Sequence, residues 1–392
     1  MDTVRIAIIG VGNIGSHHAK NISDGKVEGL CLVALCDSCP LVQERLGEQY
    51  PEIPIYTDCE EVFAKEKLDS VLIATPHYFH PDIAINAFNA GLHVLTEKPA
   101  GVYTKQVMEM NQVAEDSGKI FGIMFNQRTN MLFAKAREII KSGELGIPKR
   151  LVWIVTNWYR TQFYYDSGGW RGSYGGEGGG VLINQAPHNL DLLQWIFGMP
   201  ETVTAFLGIG RYHNINVEDE ANIFMTYESG ATATFMTSTG EPCGTNRLEI
   251  TADKGKMVLE DGKLKIWRLA ESEREFCFSE KTEFYQSKSE YEEILQTGED
   301  TAHIGIIQNF TNAILYGEPL LAPGDEGISS LMISNAAYLS HWKGETVTLP
   351  FDEDEFYHIL KSKSNDYATA ESKMELSKNT TNDASTRWQV RW

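Results

Sequence analysis

The sequence predicts an α/β protein with a doubly wound parallel sheet in its first third. A second α/β domain follows, built on an open and mainly antiparallel sheet. Three features carry this expectation. Short apolar runs alternate with helix-spaced segments as far as Phe125, the pattern of parallel strands joined by helical crossovers. A turn with three glycines, Gly10-Val-Gly-Asn-Ile-Gly15, follows directly on the first run. Beyond Arg150, runs of alternating apolar and polar residues are separated by turn residues, as in antiparallel strands.

The segment 4–9 is apolar but for Arg5 and rich in β-branched residues, which suits a strand covered on both faces. A helix through about Ser23 follows the glycine turn. Further strands are expected at 31–36, ending at Asp37, at 71–74, closed by Thr75-Pro76, at 93–95, and at 120–125. Helices are expected at 81–90, stopped by Gly91, and at 105–117, stopped by Gly118. After an amphipathic helix at 132–141, residues 150–156 read as a strand. Residues 168–180 hold eight glycines, a mobile or tightly folded loop. A helix at 188–197 ends at Gly198. Strands then run from Val203 to about Phe278, including 221–227, 231–238, 247–251 and 256–260, with Glu228-Ser-Gly230 as a hairpin turn. A helix at 328–343 leads to a short strand at 346–350. The expected division is a dinucleotide-type domain over 1–127, a substrate and oligomerisation domain over 128–362, and a polar tail over 363–392 closing on 387–392.

Charge limits the partners. The chain of 392 residues carries 34 basic and 54 acidic side chains, a net charge of −20. Such a surface repels polyphosphate backbones and argues against nucleic-acid binding. No apolar run reaches the ~20 residues of a membrane helix. The start has no basic region before an apolar one, so the expected location is the cytoplasm. Six cysteines, four of them in the first 60 residues, make no disulfide framework. Neither the lone Cys36-x-x-Cys39 nor His77-x-x-His80 has the remaining ligands of a metal site, and no metal is expected.

Three motifs carry chemistry. In the first, Gly10 permits the tight turn, Gly12 lets the backbone approach a pyrophosphate, and Gly15 allows close helix packing. Asn13 and Ile14 open the helix whose N–H groups face the phosphates. Asp37, 22 residues after Gly15, is placed to accept from both ribose hydroxyls and would repel a 2′-phosphate, so the expected cofactor is NAD. The second motif, Glu97-Lys98-Pro99, stands at a strand's carboxyl end, where such sheets bind ligands. Its ammonium suits a developing alkoxide. In the third, Asn184-Gln-Ala-Pro-His188 follows the glycine run, and the four-residue spacing puts Asn184 and His188 on one helix face. Imidazole is matched to taking a hydroxyl proton near neutral pH. His18, His93 and His213 read as structural, and His80 as packing at a helix start.

Around these, Thr75, Pro76 and His77 end one strand and line the cofactor path. Gln127 and Arg128 end another, with Gln127 toward the cofactor and Arg128 toward the substrate. Tyr159 and Arg160 precede the glycine-rich loop, and Trp170 and Arg171 lie within it. Aromatic faces and guanidinium forks suit sugar rings and cofactor.

The ordered set of G-x-G-x-x-G, Glu97-Lys98-Pro99 and a glycine run leading into the His188 helix resembles the Gfo/Idh/MocA family, over about residues 4–350. The resemblance implies a Rossmann domain, an open-sheet second domain, a nicotinamide cofactor and polyol or sugar-like substrates. It also implies homodimers or homotetramers formed through the sheet. Lys98 and His188 match the family's catalytic lysine and histidine. Asn184 stands where the family often has aspartate, so His188 is left as the principal base and Asn184 as an orienting group. The implied activity is hydride transfer between nicotinamide and a secondary hydroxyl of a sugar, glycoside or inositol, and the Asn-Gln-x-Pro-His variant is similar to relatives that oxidise a glycoside at C3. Two alternatives stand beside it: an NAD-dependent glycoside-cleaving enzyme with transient oxidation, and a non-catalytic sensor of NAD and sugar.

Overall fold

The computed structural model describes residues 3–281, 283–284, 288–298 and 300–364. Among these, six parallel strands form the first sheet: β1 (Val4–Ile9), β2 (Leu30–Cys36), β3 (Ile55–Tyr56), β4 (Ser70–Ile73), β5 (His93–Thr96) and β6 (Phe121–Ile123). Their order, β3-β2-β1-β4-β5-β6, reverses between β1 and β4, and ligands bind at such switch points. Central β1 is buried on both faces, as its unbroken apolar run requires. Two helices absent from the sequence-based expectation, Pro40–Gln49 and Cys59–Lys65, flank β3.

The second sheet has nine strands: β7 (Pro148–Val155), β8 (Thr202–Ile209), β9 (Glu218–Thr226), β10 (Thr232–Ser238), β11 (Asn246–Ala252), β12 (Gly255–Glu260), β13 (Lys263–Leu269), β14 (Ser289–Leu295) and β15 (Val347–Thr348). The order is β14-β13-β12-β11-β7-β10-β9-β8-β15. Only β7 and β10 pair in parallel; the other neighbours are antiparallel. Strands β8 to β11 alternate buried positions with more exposed ones, so one face carries the core. Helices cover that face, among them Gly327–Lys343, which packs along β8 and the helix Pro187–Phe197.

Further segments depart from the expectation in the second half of the chain. Residues 273–279 form a helix, Glu273–Ser279, rather than the end of the strand series. Its start is a Ser272-x-x-Glu275 capping box, with Ser272 Oγ accepting from the Glu275 amide at 3.5 Å. The helix Ala302–Tyr316 was not expected at all. It packs against β1 and β5, and just after it the Ile123 amide donates to Ala322 O at 3.1 Å. The first sheet thus takes in chain from both halves of the sequence. The helix Glu353–Ser364 occupies the start of the expected tail, and the rest of that tail lies outside the described residues.

Candidate active site

The carboxyl ends of β1, β4, β5 and β6 present Gly10, Thr75, Lys98 and Asn126 along one edge of the parallel sheet. Gly10 has φ +85°, which an L side chain rarely adopts, and a Cβ there would lie 2.7 Å from the Thr75 amide. A Cβ at Gly15 would stand 2.0 Å from Gly10 O, so the helix Asn13–Ser23 approaches the turn only because that atom is missing. Gly12, by contrast, faces open space, and no side chain caps the helix it begins. The first amides of that helix are left for an anion. Asp37 ends β2 beside the turn: its carboxylate accepts from the Val11 amide at 2.8 Å and the Cys39 amide at 2.9 Å, with lone pairs to spare. Arg45, which sequence reasoning missed, braces the same turn through Val11 O at 2.8 Å and Ser16 Oγ at 3.0 Å.

The Lys98-Pro99 peptide is cis. Glu97 is buried and turns away from the crevice. Its carboxylate meets His18 Nε2 at 2.8 Å and the Lys98 amide at 3.2 Å. Burial alone would raise the Glu97 pKa, but His18, His303 and Lys98 override it and hold the group at about 2. His18 thus has the structural part expected of it. So do His93, which accepts from the Ile120 amide at 2.8 Å, and His213, held between Asp219 at 3.0 Å and Arg160 O at 2.9 Å. His80 bridges Pro99 O and Thr75 O at 2.8 and 2.7 Å and ties the lysine turn to the end of β4. The six cysteines are unpaired thiols, and among the described residues no group of acids, histidines and cysteines is arranged to hold a metal.

Lys98 Nζ reaches across to the second domain and donates to Asn184 O at 2.9 Å. Asn184 ends the short helix Val181–Asn184; His188 lies in the first turn of the next helix, Pro187–Phe197. A Cβ at Gly180 would come within 1.9 Å of Glu218 O, so the glycine run packs against β9 where no other residue fits. Glu218 is buried there and accepts from the Gly180 amide at 3.0 Å, the Leu182 amide at 2.9 Å and Tyr338 Oη at 2.6 Å. These contacts fix the start of the Val181–Asn184 helix. Burial lowers the Lys98 pKa, and the Arg160 and Arg171 guanidiniums lower it further against Glu97 and Glu177. Burial, then the Lys98 charge, hold the His188 imidazole well below its ordinary 6.5, so it is neutral at physiological pH. His188 Nδ1 is buried and has no hydrogen-bond partner within the protein.

The glycine-rich loop is tightly folded rather than loose. It docks on the parallel sheet through Tyr78 Oη to Tyr174 O at 2.6 Å and His77 Nδ1 to Glu177 O at 3.0 Å. The Trp170 ring stands edge-on to His77, centroids 5.2 Å apart. The guanidiniums of Arg160 and Arg171 lie over the Tyr164 ring at 5.2 and 4.7 Å. Tyr164 and Glu177 were not singled out from the sequence, although Glu177 is the one acid within the glycine-rich stretch 168–180.

One expected contact needs correction. Arg128 does not face a substrate. Its side chain is wholly buried, bidentate on Asp191 at 2.9 and 2.6 Å, with Nη1 on Glu326 at 2.5 Å and Leu321 O at 3.2 Å. Four of the five N–H groups of the fork are taken inside the protein. The Glu97 carboxylate meets His18 and the Lys98 amide and so orients the lysine turn. Tyr159 is 44% exposed, and it is Tyr164 that hydrogen-bonds the Asn184 side chain. Gln127 Oε1, like Thr75 Oγ1, is buried without a protein partner. The open space at Gly12, the uncapped helix and these orphaned polar atoms fit a dinucleotide.

Residues 4–125 match the family model described as oxidoreductase family, NAD-binding Rossmann fold, and residues 133–258 match that of the GFO/IDH/MocA C-terminal domain. The chain belongs to the Gfo/Idh/MocA family. It is therefore an NAD-binding oxidoreductase. Among curated members it is similar to scyllo-inositol 2-dehydrogenase (NAD(+)) of Bacillus subtilis, 26% identical over 65% of this chain and 73% of that protein. It is also similar to myo-inositol 2-dehydrogenase of Thermotoga maritima, at 24% over 88% of this chain and 98% of that protein. D-glucoside 3-dehydrogenase of Escherichia coli is 30% identical over 50% of this chain. For that enzyme and three further relatives the match covers only 50–57% of their own length. Among solved members of similar fold is the WlbA dehydrogenase from Bordetella pertussis, in complex with NADH and UDP-GlcNAcA. It has a TM-score of 0.75 and 24% identity, over 89% of this chain and 100% of that one. Among the described residues no helix is long and apolar enough to cross a membrane.

Proposed function

We propose that this family member oxidises a secondary hydroxyl of a cyclic polyol (a sugar, a glycoside or an inositol) to a ketone, or runs the same reaction in reverse. The reading rests on the bond from Lys98 Nζ to Asn184 O, with His188 four residues on, in the first turn of the next helix. It brings an amine from the parallel sheet and an imidazole from the second domain to one crevice. Gly10, Gly12, Gly15, Asn13 and Ile14 hold the pyrophosphate end of NAD and Asp37 the adenosine ribose. Thr75, Pro76, His77, Gln127, Trp170 and Arg171 line its nicotinamide half. Bound NAD supplies the hydride acceptor.

His188, neutral because it is buried beside a cation, takes the hydroxyl proton. Lys98 holds the oxygen as it becomes an alkoxide; its lowered pKa also lets it share that proton. Arg160 and the aromatic rings around it bound the sugar face. The convergence of Lys98 and His188 favours an enzyme over a sensor, because simple binding has no use for a base and an oxyanion partner together. The outer face of the second sheet carries Phe206, 73% exposed, and Phe224, 46% exposed, on neighbouring strands β8 and β9. A patch of that kind supports a homodimer or homotetramer built through this face.

The test is a panel of inositols, free sugars, and methyl and aryl glucosides with NAD. NADH absorbance and ketone formation, by mass spectrometry, are followed together. The expected result is stoichiometric NADH and ketone with at least one cyclic polyol, a 3-keto product being expected from glucosides. Release of free sugar without net NADH would favour the glycoside-cleaving alternative, and NAD binding without turnover of any member would contradict the proposal.

A further inference from the structure

Asn184 is not free to choose how it meets a substrate. Its amide nitrogen donates to Tyr164 Oη at 3.1 Å and to Glu177 Oε1. With both amide hydrogens taken, Oδ1 is left as an acceptor and nothing else. Glu177 enforces this. It is buried in the glycine-rich loop, and its second oxygen accepts from the Gly172 amide at 2.8 Å. Both oxygens therefore meet N–H donors, the arrangement of an ionised carboxylate. Burial raises the Glu177 pKa, while Gly172, Arg171, Asn184 and Lys98 draw it back. Lys98 and Arg171 are the cations that face it, and Tyr165 stands beside it. The Tyr164 hydroxyl accepts from Asn184 and also from Gln185 Nε2 at 3.2 Å, so its own hydrogen remains to be donated.

We infer that Glu177 is a positioning residue that locks the Asn184 amide with its oxygen toward the crevice, where it accepts a hydrogen bond from a substrate hydroxyl. The carboxylate missing at position 184 is present seven residues earlier and acts one hydrogen bond behind the crevice. Tyr164 and Asn184 then form a donor and an acceptor side by side. That pair fits a polyol, whose hydroxyls do both, and discriminates against a deoxy analogue that leaves Asn184 unmet. The inference rests on the dehydrogenase reading above and deepens it.

Glu177→Gln tests it with almost no change of shape. A carboxamide offers one oxygen to two N–H donors, so an N–H faces an N–H and Asn184 turns over. With scyllo-inositol and methyl glucoside as probes, kcat/KM is expected to fall by about 10–100-fold. NADH affinity, by fluorescence titration, and melting temperature stay near native. Adding Asn184→Asp to Glu177→Gln restores an acceptor facing the crevice, and about tenfold of the loss is expected to return. Independently of turnover, the Asn184 side-chain amide protons exchange slowly with water in the native protein by NMR and faster in Glu177→Gln. Unchanged exchange, unchanged kcat/KM, or a double variant no better than the single one each overturns the inference. Lys98→Ala separates the two levels. If it abolishes turnover while Glu177→Gln does not, only the positioning role fails; if Lys98→Ala leaves turnover intact, the dehydrogenase reading itself fails.

Discussion

Replacing Lys98 by alanine is expected to cost about a thousand-fold in kcat, the scale of removing a donor aimed at developing negative charge. His188→Ala costs about 10²–10⁴-fold, as loss of a general base does. Because the two nitrogens act on one proton and one oxygen, the double variant should be little worse than either single one. NAD affinity is expected to hold in both, since the phosphate cradle lies on the turn after β1. Stopped-flow turnover with NAD-binding titrations checks this. The pH profile adds a signed test. The Lys98 ammonium depresses the His188 pKa, so the base form persists below the usual imidazole range. Lys98→Met removes that charge, and the acid limb of the remaining activity moves upward in pH.

The largest effect on stability is expected at Arg128, away from the chemistry. Its guanidinium and the Asp191 carboxylate are both buried, and Asp191 lies three residues after His188 on the same helix. Phe125 and Trp195 cover the guanidinium, each ring centre 5.3 Å away. Arg128→Ala leaves a carboxylate without its partner in the interior, at a cost of about 3–5 kcal/mol. Removing both charges, as Arg128→Met with Asp191→Leu, is expected to cost much less than the sum of the single changes. Urea unfolding of the native protein, Arg128→Ala, the two single changes and the double variant reads this out directly, and an Arg128→Ala loss below about 1 kcal/mol would contradict it.

Much of this was legible in the residues. The run 4–9 with the glycine turn after it, and the acid at Asp37, are local signals, because tight turns and buried strands demand particular side chains. The convergence of Lys98 on the Asn184 backbone is foreshadowed by motif order alone. Arg128 misled because a basic residue at a strand end reads the same whether it faces the crevice or the interior. The short 3-10 helix Asn126–Thr129 turns it inward, onto Asp191 and Glu326. The helix Glu273–Ser279 misled because its apolar run Phe276-Cys-Phe278 is short and aromatic enough to read as a strand end, although its capping box was visible. The helix Ala302–Tyr316 belongs spatially to a sheet whose last strand ends about 180 residues earlier, and no local pattern encodes that partnership. Glu177 was overlooked because an acid among glycines reads as a solvated loop residue until its carboxylate is seen buried.

The most direct measurement is a crystal structure of the protein with NAD and a polyol from the panel. The predicted result is one carbinol oxygen within about 3 Å of both Lys98 Nζ and a ring nitrogen of His188, its carbon facing the nicotinamide. A polyol bound with those two nitrogens on different oxygens, or outside the crevice between the two sheets, would contradict the account.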